Sequence, residues 1–85
     1  MRGEQWPEAV EAQDPNTSPE RLAWLACRGW GLAVSQNPAL PLVLLEDPCW
    51  PQRLGSYALQ CMIGYLPWKA SLLLRLEANR REEAR

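Results

Sequence analysis

Leu22, Leu25 and Ala26 follow the spacing i, i+3, i+4, which places them on one core-facing stripe of a helix and leaves Arg21, Trp24 and Arg28 off that stripe. The helix start is marked by Asp14-Pro15-Asn16-Thr17-Ser18-Pro19-Glu20, where turn formers run into a first helical proline. Two registers are open: Ser18 as N-cap ahead of Pro19, or Thr17 forming a capping box with Glu20. Gly29 and Gly31 then end or bend the chain. A shorter helical segment follows from about Trp30 to Gln36, and it stops at Asn37-Pro38 because a residue before proline is pushed out of the α region. A further helix is expected from Pro51 to about Gly64, where Leu54, Ala58, Cys61, Met62 and Tyr65 make one wide apolar face. The last expected helix, Lys69 to Arg85, carries Leu72, Leu73 and Leu76 on one side and the charged run from Arg80 to Arg85 beyond them. Leu74 breaks that pattern and widens its apolar surface.

Helix starts recur. Leu40-Pro41 leads into Leu44 and Leu45 as Pro19 leads into Leu22, and Leu66-Pro67 leads into Ala70 and Leu73. Pro19, Pro41 and Pro67 stand 22 and 26 residues apart (41 − 19 and 67 − 41), within the range of a repeat array. Three runs carry a family resemblance: Asp14-Pro15-Asn16-Thr17-Ser18-Pro19-Glu20-Arg21-Leu22-Ala23-Trp24-Leu25-Ala26, Val34-Ser35-Gln36-Asn37-Pro38-Ala39-Leu40-Pro41-Leu42-Val43-Leu44-Leu45, and Asp47-Pro48-Cys49-Trp50-Pro51-Gln52-Arg53. Over residues 12 to 58 the chain resembles the bacterial leucine-rich repeat variant, in which an Asn-Pro or Asp-Pro turn, a Leu-Pro or Ser-Pro helix start and a leucine core pair recur. The resemblance implies alternating short helices stacked as a right-handed solenoid used for interaction. Trp30-Gly31 replaces the family's valine-arginine pair, and after Tyr57 the pattern gives way, so the C-terminal third reads as a divergent cap.

At 85 residues the chain fits one domain, near the size at which a single core is only marginally sufficient. Hydrophobic residues make up 47% of it, yet no apolar run approaches the roughly 20 residues of a membrane-spanning helix. The start, Met1-Arg2-Gly3-Glu4-Gln5-Trp6-Pro7, lacks the apolar stretch of a secretory signal, and the expected compartment is the cytoplasm. Cys27, Cys49 and Cys61 are an odd, scattered set, expected to be buried free thiols rather than a disulfide framework. They do not reproduce the four-thiolate ligation of an iron-sulfur cluster such as a founding member of the resembled family carries, and no histidine or Cys-x-x-Cys pair points to zinc. No cofactor or metal is expected.

The absence of histidine removes the commonest general base. Ser35, Ser56 and Ser71 then have no imidazole to activate them, and a serine-lysine pair would need the single Lys69. Glu46-Asp47 before Pro48 reads as a capping pair, not an acid-base pair. No enzyme is expected. Five tryptophans in 85 residues is a heavy load, open to two readings: core and turn packing, or exposed aromatic anchors framed by arginine. The candidate partner-binding residues are Arg21, Trp24, Arg28, Trp30, Trp50, Arg53, Trp68 and Leu74.

The expected fold is all-α, with about five short helices in a small right-handed, solenoid-like array. Residues 1–13 form an N-terminal arm or short helix, and 14–85 form a single helical-repeat domain. The expected function is a protein-protein interaction module, an adaptor, an inhibitor or a small subunit of a bacterial or phage assembly, with a protein partner or self-association, no membrane and no small-molecule substrate. Two alternatives stand beside it: a nucleic-acid-binding repeat lined by Arg21, Arg28, Arg53, Arg75 and Arg80, disfavoured by the net charge of -1, and a structural homodimer.

Overall fold

A computed structural model describes residues 7–84. They form six α-helices: α1 (Pro7–Gln13), α2 (Pro19–Leu25), α3 (Gly31–Ser35), α4 (Leu40–Glu46), α5 (Ser56–Tyr65) and α6 (Leu72–Glu83). Short 3₁₀ turns at Trp50–Arg53 and Lys69–Ser71 lead into α5 and α6, and among the described residues there is no strand. The all-α class is therefore as expected. Met1 to Trp6 and Arg85 lie outside the described residues.

One turn recurs three times. Asp14, Asn37 and Asp47 each precede a proline, and each side-chain Oδ1 accepts from the backbone N–H two residues on, at Asn16 (2.9 Å), Ala39 (2.7 Å) and Cys49 (3.2 Å). The backbone carbonyl of each also accepts from the third residue on, at Thr17, Leu40 and Trp50. Proline presets the turn dihedral and the short Asx side chain closes it, so every helix or 3₁₀ turn after such a site begins from the same geometry. The start of α2 resolves to the Ser18 register: Ser18 Oγ accepts from the Arg21 N–H at 3.2 Å with Pro19 in the first turn. Thr17 instead donates its hydroxyl to the Glu11 carbonyl at 2.6 Å, which joins the end of α1 to the α2 approach. Between α2 and α3 the chain passes through a helical turn, Ala26–Trp30, broken at Gly29, whose φ of 101° is left-handed and suits glycine.

The helices pack in succession, α1 on α3, α3 on α5 and α5 on α6, while α2 and α4 rest on the Trp50–Arg53 turn. Asn37, buried at the α3–α4 junction, ties this stack to α1: its Nδ2 donates to the Ala12 and Asp14 carbonyls, each at 2.9 Å, while its Oδ1 holds the turn. One side chain thus satisfies carbonyls that the end of α1 leaves open. The core stripe Leu22, Leu25 and Ala26 is buried as its spacing implies.

Several expectations are corrected. The helix expected over Pro51 to Gly64 is divided, because Leu54 and Gly55 are extended (ψ 137° and 161°) and α5 starts only at Ser56. The break lets Leu54 enter the core, and the buried face of α5 is Ala58, Leu59 and Met62, with Tyr65 exposed and Cys61 half-buried. In α6, Leu72 and Leu76 are exposed and Leu73 is half-buried, while Leu74, expected among the partner-binding residues, is fully buried. The rotation of α6 is set by Arg81, whose Nη2 donates to the carbonyls of Pro51 (3.2 Å) and Leu54 (2.8 Å). Glu77, one turn back, accepts from Arg81 Nε at 2.6 Å and is itself buried, and Leu74 shares that inward face. Cys27 and Cys49 are exposed rather than buried, and the Cys27 Sγ accepts from the Gly55 N–H at 3.4 Å.

Candidate binding surfaces

The sequence-derived candidates separate into three groups. Arg21, Trp24, Arg28 and Trp30 come together on one surface with α1. Two guanidinium groups stack on the Trp24 indole, Arg21 at 4.1 Å and Arg28 at 4.6 Å from the ring centroid. Arg21 also pairs with Glu11 through two hydrogen bonds, at 2.7 and 3.1 Å. Arg28 pairs with Glu8 at 3.5 Å, and Trp30 Nε1 donates to Glu8 at 2.8 Å. The hydrogen bond to Glu11 raises the Arg21 pKa above its ordinary value. Arg21, Arg28 and Trp30 thus clamp α1 onto α2 and the Ala26–Trp30 turn.

Trp50 and Leu74 form the second group, and they are corrections: both are fully buried and neither can serve as an exposed anchor. Trp50 donates Nε1–H to the Pro19 carbonyl at 2.7 Å beneath the start of α2, as a buried indole requires. The third group is exposed. Trp68 stands beside the α6 start with Arg75 stacked 4.2 Å from its ring centroid, and Arg53 pairs with Asp47 at 2.9 Å.

The largest feature that pattern reasoning missed lies between α4 and the start of α6. There a groove of about 640 Å³ opens, walled by Leu40, Leu44 and Leu45 on one side and Leu66, Leu72 and Leu76 on the other. Its lining is apolar apart from Ser35, Asn37 and Lys69. Leu45 is 74% exposed, and Leu42, Leu72 and Leu76 are also exposed. A signal for it is present in the chain: α4, Leu-Pro-Leu-Val-Leu-Leu-Glu, is apolar on every side, and a seven-residue helix of that kind has more leucine than one core face can cover.

No family model matches the chain, and no solved structure matches it. Gibberellin 3-beta-dioxygenase 1 of Pisum sativum is 44% identical to it over 41 residues, 48% of this chain and 10% of that protein. The matched stretch spans about a tenth of that relative's length. No described helix is long and apolar enough to cross a membrane.

The arginines named for a nucleic-acid face are engaged within the molecule. Arg21, Arg28, Arg53 and Arg80 each pair with a carboxylate, and Arg75 stacks on Trp68 while donating to Ser71 Oγ at 2.8 Å. A phosphate would have to displace those partners to recruit them.

Proposed function

We propose that this chain is a non-catalytic protein-protein interaction module whose contact face is the leucine groove between α4 and α6. The observation that carries the proposal is the exposed apolar wall of Leu45, Leu72 and Leu76 around about 640 Å³ of open volume. Contiguous exposed apolar surface of this kind marks interaction sites rather than ordinary solvent-facing surface. The groove is of a size to take the side chains of a protein segment, with Lys69 available to fix its polarity. The three equivalent Asx-Pro turns, and the succession of α1, α3 and α5, support kinship with the bacterial leucine-rich repeat variant, whose stacked helices present interaction surfaces.

The dioxygenase activity in the name of the partly similar plant protein is not carried over to this chain. With no histidine, the chain does not supply the two-histidine, one-carboxylate ligand set of non-haem iron oxygenases. A nucleic-acid role draws no support from the paired arginines.

The test places a photo-crosslinking residue at Leu45, at Leu76 or, as a control on α2, at exposed Glu20. Illumination in a cell extract is expected to give discrete protein adducts from Leu45 and Leu76 and none from Glu20. Equal labelling at all three, or no adduct at the groove positions, would refute the proposal.

A further inference from the structure

The helix that walls the groove also exposes leucines of its own. Leu40, Val43 and Leu44 are buried on the inner side of α4, while Leu42 and Leu45, three residues apart, are exposed, and Leu45 itself walls the trough. Exposed leucine and trough therefore meet at Leu45. A two-fold contact between identical chains needs this arrangement, because the same patch must serve both subunits and be complementary to itself. Charge agrees with shape. Lys69 is the charged residue lining the trough, and Glu46, adjacent to Leu45 on α4, is exposed. Among the described residues neither Lys69 nor Glu46 makes an ion pair.

Resting on the interaction-module reading, we infer that the groove is filled by a second copy of this chain. Each copy places Leu42 and Leu45 in the other's trough, with α4 helices side by side and Glu46 of each copy meeting Lys69 of the other. The complementary signs set the register, and the leucines supply the burial. A patch built from so few leucines makes a small interface, so the association is expected to be weak and reversible.

Sedimentation velocity on the full chain, over concentrations from roughly 1 to 500 μM, tests this. The expected result is a monomer-dimer equilibrium that Leu45→Glu abolishes while the helical circular dichroism is unchanged, since Leu45 projects into solvent. Lys69→Glu and Glu46→Lys should each weaken dimerisation by about tenfold, and the double exchange should restore it. That restoration distinguishes a defined reciprocal interface from general stickiness. A chain that stays monomeric over the whole range, a dimer that survives Leu45→Glu, or charge variants without recovery in the double exchange would each overturn the inference. The photo-crosslinking experiment then separates the two proposals. A monomer whose Leu45 adduct contains a different protein overturns the second copy alone, whereas a monomer with no groove adduct overturns both.

Discussion

Replacing Glu77 by glutamine removes the charge shared by Arg80 and Arg81 and keeps the side chain's size. Glu77 is only 6% exposed and accepts from Arg80 at 2.7 and 3.0 Å and from Arg81 at 2.6 Å. The two arginine hydrogen bonds, Arg80's first, hold its carboxyl at about 2 against an ordinary 4.5, while burial works in the opposite direction. Taken in full, that depression corresponds to about 3 kcal/mol of stability. Arg80 is 60% exposed, so water and salt screen its half of the interaction, whereas Arg81 is 25% exposed and is held by the 50–54 carbonyls. The expected loss for Glu77→Gln at pH 7 is therefore about 2 kcal/mol. Because the folded pKa lies below the unfolded one, the carboxylate's contribution is fully present above pH 4.5 and is lost as pH falls toward about 2. Urea unfolding of both proteins at a series of pH values should show curves that are parallel above about pH 5.5 and converge near pH 2 to 3. A difference under about 0.5 kcal/mol at pH 7, or one that persists unchanged at pH 3, would refute the reasoning.

Two other substitutions test the packing. Asn37→Ala removes both donors to the end of α1 and the side-chain acceptor of the Ala39 N–H, so a loss of about 2 to 3 kcal/mol is expected, with hydrogen-exchange protection falling first in α1. A variant whose α1 protection is unchanged would show that Asn37 is not the tie. Trp50→Phe keeps most of the apolar volume but leaves the Pro19 carbonyl without its indole donor, and urea unfolding should register a loss of about 1 to 2 kcal/mol. An unchanged midpoint would mean that the hydrogen bond contributes nothing net.

Local signals alone determined the starts of α2, α4 and the Trp50–Arg53 turn. The dipeptides Asp14-Pro15, Asn37-Pro38 and Asp47-Pro48 carry their own turn chemistry, and Ser18-Pro19 its own cap, because those bonds close within three residues of their origin. The stripe Leu22, Leu25 and Ala26 was equally legible, since one helix surface needs only its own spacing to be apolar. The split of the Pro51–Gly64 segment and the burial of Trp50 and Leu74 were not. Each depends on a bond across about thirty residues or more of chain: Trp50 to the Pro19 carbonyl, and Arg81 to the Pro51 and Leu54 carbonyls. Leucine and tryptophan are compatible with either side of a helix, so composition cannot choose which side faces in. Arg81 and Glu77 make that choice for α6. It was only with α6 so rotated that Leu72 and Leu76 came to stand opposite Leu45 and the groove existed at all, a surface made by the relative placement of two helices and therefore written in neither of them.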